Sequence, residues 1–198
     1  MNVTPESLLG IALGVGLAAA TGLRVFVPLL VAGIAARADW ISLSDSFAWL
    51  QSTPALVTLG TAAIVEALAY LIPGLDHILD LIAGPAAVAA GIVVSASVMA
   101  NVPPAVLWPV AIIAGGGIAG IAKGGAALVR AKSGIATAGF ANPVVSVGET
   151  IGATALSFFA VALPFICLIA VVALVVWIVR KARRLMFSRK VSGQTPAD

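Results

Sequence analysis

Long apolar runs separated by short polar breaks make up most of this chain. Five stretches, roughly Leu8–Ala36, Pro54–Ile72, Pro85–Ala100, Ala105–Val129 and Val147–Val179, consist almost wholly of Leu, Val, Ile, Ala and Gly. They lack a period of two, so helices are predicted rather than the strands of a membrane barrel. A helix crosses the hydrocarbon core with about 20 apolar residues. Two stretches are too long for one simple crossing. Val147–Val179 would reach about 50 Å as one straight helix, against a core of about 30 Å, so it must tilt, protrude or break at Pro164. Leu8–Ala36 contains Thr21-Gly22-Leu23-Arg24-Val25-Phe26-Val27-Pro28. Gly22 loosens a helix there and Pro28 cannot donate to the carbonyl one turn back, which predicts a discontinuous or re-entrant helix. In Asp39–Ser52, Trp40, Leu43, Phe47 and Leu50 share one helical face, which predicts a short helix lying in the membrane interface.

Composition strengthens this reading. Hydrophobic residues make up 61% of the 198 and charged residues 10%, too few to cover a water-facing surface. A soluble enzyme, a nucleic-acid-binding domain and a disordered chain are excluded. The net charge of +3 is concentrated in the tail, where Arg180, Lys181, Arg183, Arg184, Arg189 and Lys190 follow an apolar run. Such a cluster reads as a cytoplasmic flank. The first residues carry no positive n-region, so the first apolar segment is expected to remain in the mature protein. Five crossings would leave Arg130 and Lys132 on the side opposite the tail, against the positive-inside tendency; a sixth, made by splitting one long stretch, would remove the conflict. Five and six both stay open. The four Trp residues, 40, 49, 108 and 177, lie where an aromatic belt would.

A weak internal symmetry runs through the chain. Gly10, Gly14, Ala18 and Gly22 form one small-residue stripe, and Gly116, Gly120 and Gly124 form another. Each precedes a basic or polar break, and each break is followed by an X-Pro pair, Thr53-Pro54 and Asn142-Pro143. Two inverted half-repeats, 6–100 and 105–179, would give this pattern; so would small residues at ordinary helix contacts. The domain reading is one helical membrane domain over 1–179 and a basic cytoplasmic tail over 180–198.

Charged groups inside a membrane domain are costly, so each is a candidate for function. Arg24, Glu66, Asn142 and Glu149 are the first candidates for binding a substrate or ion; Asp76, His77, Asp80 and Lys123 are secondary ones. Arg24 is expected within salt-bridge reach of Glu66 or Glu149. Asp76 and Asp80 share a helix face with His77 nearby, a set suited to a cation or a proton relay. Alternatively, Asp76 caps a helix while His77 and Asp80 sit at the interface. Asn142 is expected to cap the helix that Pro143 opens. Cys167 lies in an inert apolar setting, and no catalytic set, phosphate loop, cofactor motif or metal motif is present.

The run Glu66-Ala-Leu-Ala-Tyr-Leu-Ile-Pro73-Gly-Leu-Asp76-His-Ile-Leu-Asp80 resembles a stretch typical of the bacterial membrane family called domain of unknown function 4126. Gly115-Gly-Gly-Ile-Ala-Gly-Ile-Ala-Lys, Thr137-Ala-Gly-Phe-Ala-Asn142-Pro143-Val-Val-Ser146-Val-Gly-Glu149 and Gly22-Leu-Arg24-Val-Phe-Val-Pro28 are similar to it too. The likeness covers most of 8–160. It departs at Tyr70-Leu71, where an Asp-Lys pair is common in the family, and at Gly84, where an Arg often precedes the proline. It implies the helical membrane fold and the marked positions, and no activity.

These observations point to an all-α polytopic bundle in a bacterial inner membrane, with five to six segments and a cytoplasmic C-terminus. The expected function is a small transporter or permease-like protein, proton- or cation-coupled, and not an enzyme. The alternative is a non-transporting membrane protein that binds lipid or a protein partner, or scaffolds an assembly. Expected partners are membrane lipids, a small solute or ion, and a second copy of the chain, with no nucleic acid and no cofactor.

Overall fold

A computed structural model describes residues 4–72, 75–137 and 140–191; of these, the side chains of 75–77 and 182–191 are left aside. Among the described residues the regular elements are all helical. In order they are α1 (Pro5–Thr21), α2 (Phe26–Arg37), a 3-10 helix (Asp45–Gln51), α3 (Thr53–Ala69), α4 (Leu75–Ser97), α5 (Pro104–Val110), a π-helical segment (Ala111–Gly116), α6 (Gly117–Thr137), α7 (Asn142–Ala162) and α8 (Pro164–Val191). Four helical spans are long and apolar enough to cross a membrane: Ile78–Ser97, Pro104–Thr137, Asn142–Ala162 and Pro164–Lys181. A fifth is reached if the 3-10 helix and α3, bent by 67° at their junction, form one span. This is a multi-pass membrane architecture.

The two overlong stretches resolve differently. The last one breaks at Leu163-Pro164, where the proline has no N–H to continue the ladder of α7. The chain turns back there. A Cβ at Gly16 would stand 2.8 Å from both Ala160 Cβ and Cys167 Sγ, although seven residues along one straight helix would separate them by about 10 Å.

The first stretch does not make one crossing. It folds into two short helices, each below the length of a span. Positions facing α4 show α1 running antiparallel to it: Gly10 meets Val98, Gly14 meets Ser95, and Thr21 donates to the Ala87 carbonyl. The chain then reverses over residues 22–25. At the far end of α2, Arg37 Nη1 donates to Thr53 Oγ1, and the Ser44 N–H donates to the Ser97 carbonyl at the end of α4. The α1–α2 pair is therefore a helical hairpin. Its tip stands beside Ala87, midway along α4, and points toward the end where α4 begins.

α1 is the central helix. From Ala12 to Thr21 every residue is buried, as expected when other helices cover all its sides. The covering helices approach closely. A Cβ at Gly22 would stand 2.4 Å from Ala122 Cβ, and one at Gly91 would stand 2.5 Å from Ala119 Cβ. Of the second stripe, Gly116 packs tightly, with Ile92 Cγ1 at 2.9 Å from its added Cβ, and Gly120 makes ordinary contact with Val88 at 3.4 Å. Gly124 faces open space, so the stripe does not extend that far. Past Gly120, α6 meets α4 through charged side chains instead, Lys123 and Arg130 both reaching Asp80.

Two smaller expectations are corrected. The helix of the 39–52 segment is confined to Asp45–Gln51. α2 ends first in a Schellman turn, with Asp39 at φ 58, Asp39 N–H on the Ala36 carbonyl and Trp40 N–H on the Ala35 carbonyl. That turn swings Trp40 outward, while Leu43, Phe47 and Leu50 pack against the core. The third apolar stretch, Pro85–Ala100, is not a separate helix: it continues the helix of Asp76 and Asp80, which starts at Leu75 and has Pro85 inside it. All four Trp residues are exposed.

Candidate functional site

The hairpin tip builds the site. Reversing a helix inside the bundle leaves backbone donors without partners. A side chain from another helix supplies the acceptor: Val25 and Phe26 N–H donate to Glu66 Oε1 and Oε2 of α3 at 2.9 and 3.2 Å. Pro28, in the same first turn, has no N–H to satisfy. The Glu66 carboxylate also faces the positive end of the α2 dipole, worth roughly half a charge. Glu66 is thus committed to holding the turn.

Arg24, at the tip, is 1% exposed and points into α7. Its Nε donates to Thr150 Oγ1 at 2.9 Å, and its Nη2 donates to the Ser146 carbonyl at 2.8 Å and to Ser146 Oγ at 2.6 Å. Nη2 also lies 3.8 Å from Glu149 Oε2. Of its two expected acidic partners, Glu149 is the one that forms an ion pair with Arg24. Ser146, Glu149 and Thr150 are reached together because they are three and four residues apart on one face of α7.

Glu149 has a second partner from α6: Arg130 Nη2 donates to the same Oε2. Arg130 Nη1 bonds Asp80 of α4, 3.3 Å from each carboxylate oxygen. Lys123, two turns earlier on α6, donates from Nζ to Asp80 Oδ1 at 3.1 Å and to Tyr70 Oη at 3.2 Å. Tyr70 Oη in turn donates to Asp80 Oδ1 at 3.1 Å. The Tyr70 ring is shared by two guanidiniums, with the central carbons of Arg24 and Arg130 at 4.4 and 4.3 Å from its centroid, a cation–π arrangement. Residues from six segments, between positions 24 and 150, form one cluster.

The cluster is paired but not saturated. Arg24 Nη1, Arg130 Nε and Glu149 Oε1 are buried and make no hydrogen bond among the described residues. Each such buried group costs about 1–3 kcal/mol, more where charged. The charges are uneven in placement rather than in sum: Arg24, Lys123 and Arg130 balance Glu66, Asp80 and Glu149 among the described residues, but only Asp80 and Glu149 form ion pairs with them, while Glu66 is turned to the α2 backbone. No three His, Cys, Asp or Glu side chains among the described residues form a group that could hold a metal ion.

The expected residues fall into three sets. Arg24, Glu66, Asp80, Lys123 and Glu149 come together. Asp76 and His77 lie outside the described side chains. Asp80 is the shared acceptor of Lys123, Arg130 and Tyr70. Asn142 is correctly placed at the start of α7, but as its first residue; the cap position is Ala141, and no side chain caps it. The Ala141 N–H instead donates to Thr137 Oγ1 at 3.1 Å, closing the turn from α6. Asn142 is half-buried near Gly134, whose added Cβ would stand 3.6 Å from Asn142 Oδ1. Arg24 of the first break reaches Ser146 and Thr150, one and two turns past Asn142.

Arg130, Tyr70, Ser146 and Thr150 were not anticipated as site residues. Their signal was spacing. Arg130 follows Lys123 by seven and Tyr70 follows Glu66 by four, so each shares a helix face with a marked residue.

The family model described as "Domain of unknown function (DUF4126)" matches residues 11–184. No curated protein and no solved structure matches the chain.

Proposed function

The chain belongs to that DUF4126 family, and from the buried cluster we propose that it is a small transporter, coupled to protons through Glu149. The single observation that carries this reading is the incomplete pairing of Arg24, Arg130 and Glu149 inside an apolar bundle. A purely structural polar network gains from being fully satisfied. A binding site keeps donors and an acceptor for its ligand. Cation coupling is the weaker form of the proposal, because the Glu149 and Asp80 carboxylates are surrounded by Arg and Lys, which repel a metal cation. In this reading the halves 6–100 and 105–179 each contribute one helix break to the site, and the α1–α2 hairpin is re-entrant.

The sharing of one bundle end by the basic groups supports a cytoplasmic C-terminus. α6 runs past the hairpin tip toward Arg130 and Lys132, and α8, reversing at Pro164, runs the same way to Arg180 and Lys181. With the first stretch folded back and the last one split, these residues satisfy the positive-inside tendency together.

A second reading keeps the cluster as a clamp in a non-transporting protein. It is favoured by the burial of Arg24 and Glu149 against each other rather than toward an open passage. Flux separates the two. Protein reconstituted into liposomes loaded with a pH-sensitive dye is given inward gradients of small anions, cations and neutral solutes. Coupled uptake that Glu149→Gln abolishes supports transport. Liposomes no more permeable than empty ones to the whole panel would leave only the clamp.

A further inference from the structure

The two guanidiniums already show what they bind. Glu149 presents a carboxylate to Arg24 and Arg130 at once, and its Oε2 takes both. Arg24 Nη1 and Arg130 Nε are left over, on residues 1% and 5% exposed. Planar guanidinium forks suit a second planar oxyanion better than a spherical ion. The described cluster is formally neutral, so a proton on Glu149 leaves one net positive charge, which one monovalent anion balances. Ser146 Oγ and Thr150 Oγ1 add neutral polar groups beside the forks.

We infer that the cluster binds a small monovalent carboxylate-class oxyanion between Arg24 and Arg130, together with one proton that neutralises Glu149. The inference rests on the transport reading and names its substrate class. Glu149 is the internal competitor. While ionised it occupies both arginines; once protonated it releases them to the incoming anion. The proton and the anion therefore enter as a neutral pair, which lowers the cost of carrying charge across the apolar core.

Among the described residues, the titratable and charged groups of the Glu149 cluster come from four elements and the hairpin tip. They are Arg24 at the hairpin tip, Glu66 and Tyr70 from α3 and its end, Asp80 from α4, and Lys123 and Arg130 from α6, around Glu149 on α7. α8 has no charged residue from Pro164 to Val179. Asp80 does not serve as the competing carboxylate, because Lys123, Arg130 and Tyr70 all bond it. Glu66 does not either, since its protonation would cost the α2 turn one of the two acceptor oxygens that hold it.

Thermal-shift titration of the detergent-solubilised full chain with sodium acetate and sodium formate, at constant ionic strength, tests this. Affinity is expected to fall by up to about tenfold per pH unit above the Glu149 pKa, the slope of one proton taken per anion. In Glu149→Gln the anions are expected to bind with no pH dependence. Arg130→Lys keeps the charge but loses the fork, and should weaken binding by about tenfold or more while leaving the pH slope. No binding of either anion to a monodisperse wild-type protein overturns the inference, as does binding without pH dependence. Phosphatidylglycerol binding where acetate and formate do not would assign the forks to a lipid headgroup and overturn the free-solute form. Liposome flux of a cation or neutral solute with no anion binding sinks this inference alone. Anion binding without any flux sinks the transport reading and keeps the site.

Discussion

Glu66→Ala tests the hairpin tip directly. The substitution removes two charge-assisted hydrogen bonds, at 2.9 and 3.2 Å, and leaves the Val25 and Phe26 N–H groups without their acceptor. Bonds of this kind contribute about 1.5–3 kcal/mol each, and the lost charge–dipole term adds about 0.3–1 kcal/mol. Full loss would come to about 3–7 kcal/mol by these magnitudes, but Glu66 is only half-buried, so water replaces part of it. The expected destabilisation is about 3 kcal/mol. Glu66→Gln keeps one carbonyl acceptor and loses the charge, so about 1–2 kcal/mol is expected for it. The ordering Ala worse than Gln worse than wild type is the signature of an acceptor rather than of packing, since Gln and Glu have nearly the same shape. Reversible urea unfolding in mixed micelles, extrapolated to zero denaturant, gives the difference. If both variants lie within about 0.5 kcal/mol of wild type, the range of featureless surface changes, the turn is hydrated and the reasoning fails.

Three further outcomes follow from the packing and the cluster. Gly22→Ala should destabilise by about 2 kcal/mol or more in the same assay, because its Cβ would meet Ala122 and the Ala119 carbonyl. Gly124→Ala, facing open space, should be neutral or stabilising by up to about 1 kcal/mol through helix propensity. Tyr70→Phe keeps the ring under both guanidiniums and removes the hydroxyl between Lys123 and Asp80, so a loss of about 1–2 kcal/mol is expected, with Tyr70→Leu clearly worse. For topology, Lys132→Cys and Lys181→Cys should react with a membrane-impermeant maleimide from one face, and Trp40→Cys from the other; Cys167 is buried and gives little background. Labelling of positions 132 and 181 from opposite faces would refute the shared basic end.

Class and break points were legible from the chain because they are local. Apolar composition with few charges leaves no soluble alternative, and Pro164 cannot continue a helix whatever surrounds it. Gly22 through Pro28 marks a break for the same reason. The spacing of Ser146, Glu149 and Thr150 already put them on one face, and Lys123 with Arg130 on another. Spacing shows which residues share a face but not which helix that face meets. Only the packed bundle decided that Glu66 serves the α2 backbone while Glu149 takes Arg24 and Arg130. The direction of the chain after each break was equally out of reach. A proline or glycine ends the hydrogen-bond ladder, and whether the next helix continues or reverses depends on close approaches such as Gly22 against Ala122 and Gly16 against both Ala160 and Cys167. Those approaches pair residues up to about 150 positions apart. Reversal at residues 22–25 and again at Leu163-Pro164 puts Arg130, Lys132 and the tail at one end, removing the charge conflict that a count of unbroken runs had raised.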